Sequence, residues 1–266
     1  MTGLTYLHTV SPAAVTFNLS VLNDLRLVLA SVVVLGALVG VVASVVGLVG
    51  LGRLRPFGLG RVRSGRGPHI RDELRELSTQ VLQRMKENHW SSIAVTSPRK
   101  SEGKTTTAIN LGISIAKEIG YTVLVVDANL RHPNMHEYFG INPEHGLSEY
   151  LTGDIELSDV LINPKGLDHF VILPAGRSHH ASSELLGSPK MCSLVEELTS
   201  RYPKRIIIFD LPPVLETADT LAFVPCIDTA LVVVEDDVTK EADLKSAIDM
   251  LSVTNIIGTV LNKSIY

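Results

Sequence analysis

The chain has 266 residues, 45% of them hydrophobic, with 24 basic and 28 acidic residues and a formal net charge of -4. That balance gives no general reason to expect nucleic acid as a partner. The two cysteines, Cys192 and Cys226, show no metal-site spacing and no disulfide framework, so they read as reduced, small core residues.

Mean hydropathy is nonetheless positive, and one stretch is responsible. Residues 27–52 read LVLASVVVLGALVGVVASVVGLVGLG, 26 residues without a charge. A helix of that length spans about 39 Å, more than a hydrocarbon core of about 30 Å, so it can cross a bilayer with some tilt. Arg53, Arg55, Arg61, Arg63 and Arg66 follow it, whereas only Asp24 and Arg26 carry charge before it. The positive-inside rule then puts the larger C-terminal part in the cytoplasm. Three parts result. Residues 1–53 form a short outer tail and membrane helix, 54–68 a basic juxtamembrane linker, and 69–266 a cytoplasmic domain.

In that domain short β-branched runs recur at 92–96, 122–127, 169–173, 205–210, 229–235 and 256–261. Helical patterns separate several of them, at 104–119, 183–201, 218–224 and 240–252. Near-continuous apolar strands alternating with helices predict an α/β fold, a mostly parallel, doubly wound sheet with helices on both faces. Ligands of such sheets bind at the carboxyl ends of the strands.

After the first strand, residues 97–107 read SPRKSEGKTTT. Backbone N–H groups of Ser101, Glu102, Gly103, Lys104, Thr105 and Thr106 can wrap a phosphate at a helix N-terminus. Lys104 would reach the β- and γ-phosphates and Thr105 would offer a hydroxyl to Mg²⁺. After the second strand, VLVVDANLRHP places Asp127, Asn129 and Arg131; after the fourth, RIIIFDLPP places Asp210. A carboxylate at the end of an apolar strand needs a partner, and Mg²⁺ suits hard oxygen ligands. The last strand ends at Asn262, whose amide has the donor and acceptor needed to read a base edge.

These segments resemble the bacterial tyrosine kinases (BY-kinases) of exopolysaccharide and capsule systems, which share a broad P-loop class with the MinD and ParA ATPases. The resemblance covers SPRKSEGKTTTAINL as Walker A, VLVVDANLRHP as Walker A′ and IIIFDLPPV as Walker B, and continues in ILPAG, SSELLGSPKM and GTVLN. It implies a P-loop NTPase domain that binds ATP and Mg²⁺. Lys104, Asp127, Asn129 and Asp210 would be catalytic. Ser101 to Thr106, Arg131 and Asn262 would hold the nucleotide, and Thr105, Asp127 and Asp210 the metal. The implied activity is transfer of the γ-phosphoryl of ATP to tyrosine. The implied partners are a polysaccharide co-polymerase, polymerase or export protein in the bacterial inner membrane, with self-association.

The chain departs from the family pattern at four places. Lys100-Ser101 stands where Pro-Gly is common, and serine adopts positive φ less cheaply than glycine. Asn129 replaces the second Walker A′ aspartate and cannot take a proton. Tyr266 and Tyr202 are poor substitutes for a terminal tyrosine cluster. Of the family's Glu-x-x-Arg-x-x-Arg helix, Asp72, Arg75 and Ser78 hold the spacing, so only the middle is kept. These departures keep an alternative open, a MinD/ParA-like regulatory ATPase or nucleotide switch without tyrosine kinase activity.

Overall fold

The computed structural model describes residues 68–153, 155–202 and 204–263. The membrane segment at 27–52, the basic linker with Phe57, and Tyr266 lie outside the described residues. Among the described residues no helix is long and apolar enough to cross a membrane.

Six strands form one sheet: β1 (Ser92–Thr96), β2 (Thr122–Asp127), β3 (Phe170–Leu173), β4 (Arg205–Asp210), β5 (Thr229–Glu235) and β6 (Asn255–Asn262). Their order is β3-β2-β4-β1-β5-β6 and every neighbouring pair is parallel. Successive side chains of a strand point to opposite faces, so an apolar strand builds two cores at once. Leu124, Val126, Ile207, Phe209, Ala230 and Val232 face one core. Val123, Val125, Ile206, Ile208, Leu231 and Val233 face the other.

The second core is covered by α1 (Pro68–Glu87) and α2 (Lys104–Ala116). The first is covered by α4 (Leu147–Thr152), α6 (Ser182–Leu186), α7 (Pro189–Arg201), α8 (Asp219–Phe223) and α9 (Glu241–Met250). The short α3 (Met135–Phe139) and α5 (Leu157–Val160) lie in the connections after β2 and before β3. Helices on both faces of a parallel sheet are the architecture expected from the strand–helix alternation.

Two expectations are corrected. The single helix at 183–201 is two helices, because Pro189 lacks an amide N–H and ends the preceding helix. Ser188 then caps α7, its hydroxyl accepting the Met191 N–H at 3.2 Å. Cys192 and Cys226 are joined as a disulfide rather than reduced, with Cα atoms 5.3 Å apart. They are 34 residues apart in sequence, and become neighbours because α7 and the turn after α8 pack into one core.

On α1, Leu77, Ser78, Val81, Leu82 and Met85 face inward. The Ser78 hydroxyl lies 2.9 Å from that of Ser114 on α2. The third position of the family's helix motif is therefore engaged with this chain's own core. Gly112 brings α2 close to the sheet: a Cβ there would lie 2.8 Å from Val125 and 2.9 Å from Phe170. Both neighbours are buried, so neither can swing away. Gly112→Val is expected to destabilise the domain by about 2–3 kcal/mol, measured as a lowered urea midpoint at unchanged slope.

Candidate active site

The carboxyl ends of β1, β2 and β4 meet at one edge of the sheet, and every strongest sequence candidate sits there. Asp127 and Asp210 are register partners on adjacent strands, and both are fully buried. Asp127 is satisfied by its own loop. It accepts the Asn129 N–H at 3.1 Å through Oδ1 and the Met135 N–H at 3.2 Å through Oδ2. Asp210 is not: neither carboxylate oxygen has a hydrogen-bond partner. Burial pushes Asp210 up to about 6, against the pull of the nearby Lys104 charge and of the Thr105 hydroxyl. Burial, and then the Asp210 charge, push Asp127 up to about 7.

The loop between β1 and α2 wraps around the N-terminus of α2. Gly103, preceding α2, has φ 93 and offers no side-chain cap, so the first amides of α2 are free to bind an anion. An added Cβ on Gly103 would lie 1.9 Å from the Asn262 amide nitrogen, so glycine is needed for space as well as for φ. Lys104 and Thr105 open the helix, 8% and 4% exposed. The Thr105 hydroxyl reaches Asn134 Oδ1 at 3.5 Å, and the Thr106 hydroxyl lies 3.1 Å from the Tyr138 hydroxyl. The donor set of Thr105, Asp210 and Asp127 is that of a hard, oxygen-seeking cation, and Asp210 has both oxygens to give.

Other candidates are placed beside this centre with side chains already engaged. The Glu102 carboxylate turns from the phosphate cradle, accepting the Arg99 N–H at 2.7 Å and the Thr239 hydroxyl. Asn262 donates its amide N–H to the Glu102 carbonyl at 2.9 Å. Asn129, 5% exposed, accepts the His132 N–H at 3.4 Å. Arg131 turns to Asp219, with Nε 3.1 Å from Oδ2.

Ser101 adopts φ 66, the left-handed conformation its position demands. Its carbonyl accepts Lys263 Nζ at 2.7 Å, and the same ammonium pairs with Glu235 at 2.8 Å. Arg99 forms a bidentate pair with Asp243 at 2.7 and 3.0 Å, and the Lys100 N–H donates to Glu216 at 3.0 Å. Thr239, Lys263, Asp243, Glu216 and Asn134 were not legible as site residues. Asp243 lies in the first turn of α9 and the others on loops, and in none of these places does the local sequence carry a motif.

Residues 91–265 match the family described as AAA domain. Tyrosine-protein kinase YwqD of Bacillus subtilis is 29% identical over 195 residues, 72% of this chain and 80% of that protein. Tyrosine-protein kinase etk of Escherichia coli is 31% identical over 193 residues, 72% of this chain but 26% of that protein, so the chain spans about a quarter of etk's length. The solved kinase domain of Escherichia coli tyrosine kinase ETK superposes with a TM-score of 0.70 at 27% identity, covering 76% of this chain and 84% of that one.

Two measurements check the site. Ser101 already holds φ 66 without ligand, at about 1 kcal/mol of strain, so Ser101→Gly is expected to raise the urea midpoint of the domain, while nucleotide affinity, read by titration with a fluorescent ATP analogue, stays within about twofold. Asp210 has a folded pKa above its unfolded value, so its ionisation costs stability as pH rises from about 4 to about 6 and above. Asp210→Asn should therefore raise the melting temperature of the nucleotide-free protein at pH 8 by roughly 5 °C, and by much less at pH 4. The chain belongs to the AAA domain family of ATP-binding P-loop proteins, and its named relatives are bacterial tyrosine-protein kinases.

Proposed function

We propose that this chain is a membrane-anchored, ATP-dependent protein-tyrosine kinase regulating exopolysaccharide or capsule synthesis and export. The observation that carries the reading is the pair of buried strand-end carboxylates facing a Gly-Lys-Thr loop, with Asp210 left unpartnered. ATP is the substrate, its phosphates lying in the Ser101–Thr106 cradle at the α2 N-terminus. Lys104 neutralises charge as it moves from the γ-phosphoryl to the leaving oxygen. Asp210 and Thr105 would hold Mg²⁺, with Asp127 beside them. Bound there, the ion would supply positive charge to the phosphate oxygens. Asp127, beside Asp210 at the end of β2, would accept the proton. A tyrosine oxygen bonds to the γ-phosphorus, the bond from that phosphorus to the bridging oxygen of ADP breaks, and the tyrosine proton passes to Asp127.

The membrane segment at 27–52 and the basic linker would hold this domain at the inner face of the plasma membrane. The matching partners are a polysaccharide co-polymerase, a polymerase or an export protein, and further copies of this chain. A second reading, a nucleotide-driven switch that hydrolyses ATP without phosphorylating tyrosine, is favoured by Asn129, whose amide cannot take a proton.

The test follows the γ-phosphate of labelled ATP on the full chain with Mg²⁺, beside Lys104→Ala. The expected outcome is label on tyrosine, reduced at least about 100-fold in the variant. Label released only as inorganic phosphate would replace the kinase reading with the switch.

A further inference from the structure

Asp219, the first residue of α8, is fully buried and lies nine residues beyond Asp210 on the loop that follows β4. It gathers the loops from three strand ends. From the loop after β2, Arg131 Nε donates to both carboxylate oxygens at 3.1 and 3.2 Å, and its Nη2 donates to Oδ1 at 3.2 Å. From the segment after β3, the Ser182 hydroxyl donates to Oδ2 and the Ser183 hydroxyl to Oδ1, each at 2.6 Å. Burial alone would raise the Asp219 pKa, but the Arg131, Ser182 and Ser183 hydrogen bonds more than offset it and hold the carboxyl ionised.

The same loop is tied twice more. His179 N–H donates to the Leu130 carbonyl and the Ser178 hydroxyl to the Arg131 carbonyl, both at 2.9 Å. The stretch from Asp127 to Arg131 is thereby fixed at both ends. At one end the Ala128 N–H donates to the Asp210 carbonyl at 3.0 Å. At the other, Arg131 is clamped on Asp219. Asn129 lies between these anchors, and Asp127 immediately precedes the first.

We propose that Asp219 is a positioning residue: acting through Arg131, it sets the β2 loop against the β4 end, so that the Asp127 carboxylate, which accepts the Asn129 N–H of that loop, is oriented in advance for the cation that accompanies ATP. This rests on the proposed phosphoryl-transfer reading. It gives Arg131 the task of holding the loop rather than of touching the nucleotide. Groups that orient metal-binding side chains from one layer out typically change metal affinity or activity by about 10–100-fold when removed.

The full chain is titrated with Mg²⁺ in the presence of a fluorescent ATP analogue, and nucleotide binding is also measured in EDTA. The variants are Asp219→Asn, Arg131→Gln and the two combined. Each single variant is expected to raise the Mg²⁺ concentration for half-saturation about 10-fold. Analogue affinity in EDTA stays within about twofold, and the double variant loses no more than Asp219→Asn alone, because both act on one contact. In turnover, kcat falls with little change in KM for ATP.

Two results overturn the proposal. One is a lowered melting temperature with an unchanged Mg²⁺ requirement, which makes Asp219 a purely structural hub. The other is a loss of analogue affinity in EDTA for Arg131→Gln, which puts Arg131 on the nucleotide. Should Asp219→Asn fail to fold, Arg131→Gln decides alone, since that side chain is 38% exposed. A wild-type chain that transfers no phosphoryl group sinks the kinase reading, while the Mg²⁺ titration still decides the role of Asp219.

Discussion

Asp127 and Asp210 end neighbouring strands of a sheet buried on both sides, where water reaches neither. Two carboxylates side by side in such a place repel each other and lose hydration. The structure resolves this unequally. Asp127 is given two backbone N–H groups, whereas Asp210 is given none and has the Lys104 charge and the Thr105 hydroxyl to favour its ionised form. In the proposed reading, a cation bound there would offset that cost. The phosphate loop, the clamp on Arg131 and the order of the strands all serve to present that oxygen pair at a fixed place.

The loop that faces it is held from the far side of the sheet. Glu102, Arg99, Lys100 and the Ser101 carbonyl are each bound by a residue that follows β4, β5 or β6. This accounts for serine in a left-handed conformation that glycine adopts more cheaply. The strain sits in a loop over-determined by its contacts, which is where such strain persists. In the proposed reading, the phosphate side and the cation side of the centre rest on different supports. One is braced by residues after β4, β5 and β6, the other by Asp219 and the segment after β3.

The strands were legible because each apolar β-branched run meets two cores, so its pattern is continuous and tolerates no other reading. Lys104, Thr105, Asp127 and Asp210 were legible because strand, turn and helix in that succession carry the chemistry within a few residues. Cys192 and Cys226 were not. Their pairing depends on α7 and the turn after α8 sharing one core face, and that proximity has no trace in their spacing. The split between α6 and α7 was readable in principle from Ser188-Pro189, but the helical periodicity across it is strong enough to hide the break.

By itself the sequence determined the alternation of strands and helices, the face each strand residue takes, and the residue types at the strand ends. Those follow from local sterics and from the period of two that a strand imposes. Tertiary structure alone decided what each polar side chain at the centre is doing. Glu102 turns to Thr239, Asn262 covers Gly103, Arg131 belongs to Asp219, and Asp210 is left without a partner. Hydrogen bonds are short and directional, so their partners are chosen by which loops the sheet brings together. Those loops come from residues as much as 162 positions apart, as for Lys263 and Ser101.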